Sequence, residues 1–433
     1  MDSQAAKSNR VRTAFSAFTV SAFRWVWFGA LSGNSARYAV ILVAGWEAYR
    51  LGNQSGLWPS LVSFFLLVPT MLFGLIAGSY ADRVNRANLA MLGQSINALS
   101  CILAALGIFT NTIGLAGVLA SAAIVGIGNS IQGPAWQSLI PELVGPSRMV
   151  NAALATRIAQ QGSELVGPAL GTLVLTTVGP GPTYLLCAAM YLTGLGMLSR
   201  VRQSSPKGYL VVNQKQSLVE QIAKGFSYIK STPPLGLLFL WVTCHCSLTM
   251  AIFGILPTIA SENFHGKAGV YGLLLTSFGL GSVIGPLGMM VVSKEPRHGL
   301  GLWVSGVLSG LPLIVLGLTH LEVLALVMSA LAGMAQAIFM SLIYSSVMLC
   351  TFSSMRGRIS SIQLSITTGA MGMASLGWGA LVSIASAGLV LAVPGAAFVI
   401  ICLGLIYNIR DLNDQITQRG EAVYGTDTEM TLG

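Results

Sequence analysis

Twelve apolar runs of about 20 residues each follow one another along the chain. An α-helix rises about 1.5 Å per residue, so about 20 residues cross about 30 Å of hydrocarbon. Hydrocarbon offers the backbone no hydrogen-bond partner, and such runs therefore form helices. The sequence predicts an all-α, polytopic membrane protein with twelve spans near residues 26–49, 57–80, 88–109, 114–137, 151–176, 183–201, 235–258, 269–292, 300–318, 323–348, 360–384 and 389–408.

The composition excludes other classes of protein. Charged residues are 9% of the 433, hydrophobic residues are 54% and the mean hydropathy is +0.73, which a soluble domain of this size does not tolerate. The formal charge of +9 does not predict a nucleic-acid partner, because the basic residues stand singly in short loops without neighbouring aromatic residues. The six cysteines lie inside apolar runs and are expected to be buried thiols, not disulfides.

One long hydrophilic segment divides the spans into two groups of six. Within it, apolar residues at helical spacing beside Lys224 and Lys230 predict an amphipathic helix over 217–230 that lies along the membrane surface. The polar tail is expected to be mobile. The predicted organisation is an N-terminal segment 1–25, a first half 26–201, a linker 202–234, a second half 235–409 and a tail 410–433.

Lysine and arginine predict the orientation of the spans. With the N-terminus inside, the cytoplasmic segments hold 19 of the 23 basic residues, and only Arg50 and Lys267 face out. Both termini are therefore expected in the cytoplasm and the protein in the cytoplasmic (inner) membrane. Two basic residues, Arg37 and Arg157, fall within spans.

The second span ends in a short charged motif. Small residues, Gly78 among them, precede Asp82, Arg83 and Arg86 at the water boundary, where paired charges can hold two helix ends together. We call Gly78, Asp82, Arg83 and Arg86 the latch. The pattern resembles the G-x-x-x-D-R-x-x-R loop between helices 2 and 3 of the major facilitator superfamily.

Further motifs carry the same resemblance. The fifth span looks like the antiporter motif G-x-x-x-G-P-x-x-G-G of that superfamily, with Ser163 and Thr172 in place of glycines, whereas the arginine of the helix 4 motif R-x-x-Q-G is absent. Gly133-Pro134-Ala135-Trp136 and Leu139 to Val144 are similar to the branch with the enterobactin exporter and macrolide efflux proteins. The resemblance implies alternating access by two six-helix halves around a central cavity, with proton exchange associated with Ser163, Gly167, Pro168 and Gly171.

Two charges lie deep within spans of the first half. Arg37 is about 18 Å and Glu164 about 20 Å from the same membrane face, at about 1.5 Å per residue. We expect both to face the cavity and to pair, with Glu164 carrying a proton and its protonation freeing Arg37 for an anionic substrate group. The alternative is a fixed structural ion pair. Arg157, about 9 Å deep, is expected to reach the cytoplasmic surface.

His245 lies in the middle of the seventh span, where it is either a second coupling or substrate residue or a hydrogen-bonded packing histidine. Its neighbours Cys244 and Cys246 do not predict a metal site, because adjacent helical positions point about 100° apart.

We also expect an amphipathic pocket with aromatic and thioether surfaces. Its candidate lining residues are Asn34, Tyr38, Gln132, Trp241, Gln336 and Tyr344.

The leading hypothesis is a secondary exporter that moves a small amphipathic molecule, a siderophore or a drug, outward in exchange for protons. No nucleotide-binding motif is present, so coupling to an ion gradient is expected. No cluster of His, Asp or Cys at catalytic or metal spacing occurs at a membrane surface, so neither enzymatic activity nor a cofactor is expected. The expected partners are the substrate, protons and membrane lipids, and the protein is expected to be a monomer. The alternatives are a lysophospholipid flippase or facilitator, and a transporter-like sensor or assembly factor.

Replacement of Asp82 by asparagine is expected to leave the protein folded and to reduce transport, because loss of the carboxylate destabilises one state of the cycle. Transport by D82N at matched expression level measures this. Normal transport by the variant would remove the latch hypothesis.

Overall fold

The computed structural model describes residues 16–81, 85–145, 148–201, 218–292 and 298–432. Over those residues the regular structure is helical and contains no strand. The helices are α1 Ser21–Leu51, α2 Leu57–Ala81, α3 Arg86–Phe109, α4 Leu115–Val144, α5 Met149–Val178, α6 Pro180–Val201, α7 Leu218–Ser231, α8 Pro233–His245, α9 Leu256–Asn263, α10 Ala268–Val292, α11 His298–Leu318, α12 Glu322–Leu349, α13 Arg356–Leu381, α14 Ala387–Gly404 and α15 Ile409–Leu432.

The same packing pattern occurs twice. In α1–α6, α2 packs against α4, and α3 packs against α4 and α6. The equivalent contacts in α8–α14 join α10 to α12, and α11 to α12 and α14. The two halves meet along two seams, α2 against α13 and α5 against α10. The pseudo-repeat relates one seam to the other, because α10 corresponds to α2 and α13 to α5. This confirms the predicted fold class, two six-helix pseudo-repeats in a polytopic all-α membrane protein.

Nine helical segments among the described residues are long and apolar enough to cross a membrane. Three further helices, α1, α5 and α13, are 31, 30 and 26 residues long and complete the set of twelve. Each of the three contacts the opposite half. Their lower apolarity follows from this position, because helices between the halves place polar side chains away from lipid.

The seventh predicted span is broken, whereas the sequence predicts one continuous helix. After α8 the chain forms a π-helical turn over Cys246–Met250 and a 3-10 turn over Ala251–Gly254 before α9 begins. Pro257 lies in the first turn of α9, where its missing N–H is tolerated. In a continuous helix the same proline would remove a backbone hydrogen bond, which favours a break just before it.

Three hydrophobic clusters show where the halves join. We call the end that carries α7 and α15 the terminal end, and the opposite end the distal end. One cluster at the distal end contains buried residues of both halves, from Ala36 in α1 to Leu391 in α14. At the terminal end the described side chains form two separate clusters, one in each half. The structure is therefore sealed distally, and the halves part toward the terminal end.

The linker helix α7 and the C-terminal helix α15 both pack on the second half. Gly225 of α7 lies against Ile362 of α13. The tail is not a mobile coil over the described residues, because α15 buries Leu412, Ile416 and Val423. The Arg419 guanidinium lies 4.8 Å from the Phe352 ring centroid and donates to the Tyr228 hydroxyl at 3.4 Å. Burial raises the pKa of the nearby Cys350 thiol to about 11.

The latch falls partly outside the described residues. Asp82 and Arg83 are not among them, Gly78 lies in α2, and Arg86 is the first residue of α3. Asn85 caps α3, its side chain accepting from the Asn88 N–H at 3.1 Å. The latch and the predicted domain limits stay predictions.

Replacement of Ile416 by alanine is expected to loosen α15, because the side chain is 1% exposed and its loss leaves a cavity that costs about 2 kcal/mol or more. Amide hydrogen exchange of α15 should then accelerate at least about 30-fold. The exposed neighbour Gln418 provides the control, since Q418A should change little. Equal protection in I416A and Q418A would contradict the docking of this helix.

Candidate functional site

The antiporter-type motif of α5 lies against α1. Any side chain larger than hydrogen at Gly167 would clash with the Ser35 carbonyl and Tyr38, and one at Gly171 would press on Leu42. The Ser163 hydroxyl lies 3.2 Å from the Leu31 carbonyl oxygen and 2.6 Å from that of Ala159. Pro168 lies within the same stretch of α5. These small residues bring the two helix backbones together in mid-membrane.

This contact places a tyrosine on the buried carboxylate. The Tyr38 hydroxyl donates to Glu164 Oε1 at 2.7 Å. The Arg37 guanidinium lies 5.2 Å from the Tyr38 ring centroid, and all three side chains are partly buried. Arg37 and Glu164 form no direct ion pair, although both residues are described. The Glu164 carboxylate instead accepts a hydrogen bond from the Tyr38 hydroxyl. The sequence predicted the depth of Arg37 and Glu164 but not the intervening role of Tyr38.

The break in the seventh span is held by side chains of two other helices. The Trp378 indole N–H of α13 donates to the Ser247 carbonyl at 2.8 Å. The Gln336 amide of α12 donates to the Thr249 carbonyl at 3.3 Å. Both carbonyls belong to the π-helical turn, where the regular backbone pattern is interrupted. Gln336 is therefore placed at the break and is 1% exposed, so its contacts differ from those of a pocket-lining residue.

His245 lies inside the second half, away from the contact between the halves. Its ring stacks on Phe339 at 4.2 Å between centroids and meets the edge of Phe398 at 5.2 Å. His245 Nε2 lies 3.3 Å from the Ser309 hydroxyl. Trp241 packs on the same Phe339 ring and is 2% exposed. These contacts favour the packing alternative for His245 and a core position for Trp241.

The remaining candidate residues divide between the core and the cleft. Gln132 is buried in the first half and donates to Asn129 Oδ1 at 2.7 Å, which also accepts from Asn97. Asn34 is partly buried on α1. Tyr344 is exposed, and the Arg157 guanidinium of the other half lies 4.6 Å from its ring centroid. The Arg157 side chain is exposed and contacts the other half, and its expected reach to the cytoplasmic surface stays a prediction.

Potential metal-ligand side chains are not clustered in the part of the chain that the structure describes. No three His, Cys, Asp or Glu side chains there lie close enough together to hold a metal ion. All six cysteines are free thiols.

Two pseudo-repeat halves, with charged side chains held between them in mid-membrane, define a membrane transporter of the major facilitator type rather than an enzyme. The chain belongs to the transmembrane secretion effector family, which it matches over residues 12–420.

Relatives and solved structures agree with this assignment. The enterobactin exporter EntS of Citrobacter koseri is 27% identical over 328 residues, which cover 74% of this chain and 76% of the relative. EntS of Shigella flexneri is 26% identical with the same coverage. The crystal structure of a POT family transporter with 5-aminolevulinic acid has a TM-score of 0.73 over 90% of this chain and 96% of that chain. At 13% identity, that likeness concerns the fold alone.

Replacement of Trp378 by phenylalanine is expected to destabilise the protein in detergent or lipid by about 1–2 kcal/mol, because a carbonyl of the broken span loses its donor where water is absent. Thermal unfolding followed by fluorescence measures this. Trp58 provides the matched control, because its indole makes no hydrogen bond among the described residues. Equal unfolding temperatures for W378F and W58F would contradict the bracing role.

Proposed function

We propose that the protein is a secondary active exporter that moves a small amphipathic molecule outward across the cytoplasmic membrane in exchange for protons. The observation that carries the proposal is the hydrogen bond from Tyr38 to Glu164 beside Arg37. A carboxylate in mid-membrane costs about 2.5–3.5 kcal/mol on insertion scales. Such a group binds a proton readily unless neighbours stabilise its charge, and here one hydroxyl and one cation are within reach.

Linkage decides which ligands suit proton exchange. A ligand that donates hydrogen bonds to Glu164 stabilises the charged carboxylate and so expels its proton. A ligand that places an anionic group on Arg37 neutralises the cation that stabilises the Glu164 carboxylate. Such a ligand therefore favours protonation of Glu164. The earlier expectation, an anionic group on Arg37 after protonation of Glu164, therefore describes proton uptake with the ligand. Antiport requires the first type of ligand, one with hydroxyl or amine donors.

The two walls of the cleft suit an amphipathic molecule. Acidic and basic side chains away from the ends of the spans, namely Arg37 and Glu164 deep in the membrane and Arg157 nearer the surface, all belong to the first half. In the second half such residues occur only near the ends of the spans. The wall opposite Arg157 carries Tyr344, with Met340 one turn before it on α12. A ligand with polar donors on one side and an apolar or aromatic body on the other fits this division.

The proposed setting follows from charge and from the relatives. The basic residues favour a cytoplasmic terminal end, so this conformation faces the cytoplasm, with both termini there.

The relatives named enterobactin exporters support a siderophore or drug-like substrate. We propose that the protein works as a monomer, since each half finds its partner within the same chain.

Addition of an accepted ligand to purified protein in weakly buffered detergent should release about one proton per molecule bound. The panel comprises enterobactin, a macrolide and a lysophospholipid, read with a pH-sensitive dye. Glu164→Gln should abolish the release and leave binding measurable. Tyr38→Phe should change its pH dependence, whereas Tyr191→Phe, which removes a buried hydroxyl without a hydrogen bond among the described residues, should not.

The control for the carboxylate is Glu322→Gln, an exposed acid at the distal start of α12. Binding without proton release in the unchanged protein would replace antiport by a facilitator or flippase. Proton uptake would reverse the sign of coupling. Absence of binding to any member of the panel would favour the sensor or assembly factor.

A further inference from the structure

One face of α5 presents polar groups to the second half. Arg157, Gln161 and Glu164 are spaced by four and three residues and so lie on the same side of the helix. Arg157 contacts Tyr344 of α12, and the Gln161 amide donates to the Ser282 carbonyl of α10 at 3.1 Å. The face that holds the proposed proton site therefore also joins the two halves.

At Glu164 the backbones of α5 and α10 touch. A methyl group at Gly279 would clash with the backbone carbonyl of Glu164. Ser282, one turn further along α10, is 1% exposed and its side chain lies beside the Glu164 carboxylate. Its hydroxyl donates to the Gly279 carbonyl at 2.9 Å. A serine hydroxyl has one proton to donate, so it can serve either the carbonyl or the carboxylate.

Over the contacts described for it, the other seam between the halves has no ionisable side chain. Over its described contacts, residues 56–71 of α2 and the preceding turn face residues 369–382 of α13 and the position just after it. Those two stretches contain no titratable side chain. Ser60, one of three buried serines in these stretches with Ser63 and Ser375, donates to the Gly56 carbonyl at 2.9 Å. The two seams are equivalent in the pseudo-repeat but differ in chemistry.

We propose that Ser282, positioned by Gln161, makes the α5–α10 contact depend on the charge of Glu164. This inference rests on the proposed proton exchange. When Glu164 is charged, the Ser282 hydroxyl turns to the carboxylate and ties the two halves. Protonation makes Glu164 a weaker acceptor, so the hydroxyl returns to the Gly279 carbonyl and the tie weakens. The groups that face Glu164 from α1 are Arg37 and Tyr38, and α10 contributes no ionisable side chain at this level.

The test measures the conformational equilibrium without a ligand. Spin labels at Ser199 and Ser361, exposed positions on different halves near the terminal end, report the separation of the halves by pulsed electron resonance from pH 5 to 9. Cys244, the one cysteine that is not fully buried, is replaced by alanine in every sample. The unchanged protein should shift between two distances with pH, and Glu164→Gln should stay at the low-pH distance.

Ser282→Ala should reduce the pH-driven change in the conformational equilibrium constant at least about tenfold, and Ser282→Thr, which keeps the hydroxyl, should restore it. Ser60→Ala removes the matching hydroxyl of the other seam and should leave the response unchanged. Gln161→Met, at a partly exposed position, should weaken the response and covers the case in which Ser282→Ala fails to fold. A normal response in S282A or Q161M would overturn the proposal.

Failure of this inference is distinguishable from failure of the proposed function. Ligand-driven proton release together with a normal pH response in S282A would remove the role of Ser282 and leave antiport intact. A pH-independent distance in the unchanged protein, together with no proton release, would overturn both. An equal loss of response in S282A and S60A would assign the effect to helix packing and also overturn the specific role of Ser282.

Discussion

Close contact between helix backbones is the constraint on which the structure depends. Lipid tails are as apolar as leucine, so burying apolar surface between spans gains little, and helices associate through dispersion forces at short range. Glycines allow two helices to approach this closely. Gly333 of α12 lies against the Phe278 carbonyl of α10, and Gly310 of α11 lies against Gly395 of α14. The seam at Gly279 and the α1–α5 contact at Gly167 follow the same rule. The contact at Gly167 lies beside Tyr38, and the contact at Gly279 lies at Glu164, so these contacts position the side chains of the candidate site.

The fold was largely predictable, because apolar length is a local property of the sequence. Twelve spans and their pairing into halves need only the positions of polar segments. The break after His245 was not predicted, although Pro257 was visible, because its form depends on donors from Trp378 and Gln336 that are distant in sequence. The docked tail was missed for a similar reason. Its buried residues are few, and the surface that receives α15 is built by other helices.

The sequence predicts how deep in the membrane the residues of the candidate site lie, but not the direction in which each side chain points from its helix. Counting residues places Arg37 and Glu164 at one level. Neighbouring positions on a helix point about 100° apart, so whether residue 37 or 38 meets the carboxylate depends on how α1 packs on Gly167. His245 illustrates the same limit. Its depth suited a coupling residue, but α8 is rotated so that the ring stacks on Phe339 in the core of its own half.

The break in the seventh span divides it into two helices that pack in different parts of the structure. α8 belongs to the core of the second half through His245 and its aromatic neighbours. α9 belongs to the distal seal, where Pro257 lies near Gly45 of α1 and Thr258 near Gly56 before α2. A distal opening must part α9 from the first half, and a rigid helix would transmit that movement into the core. The intervening carbonyls, held by Gln336 and Trp378, leave no continuous α-helix between the distal seal and the packing around His245.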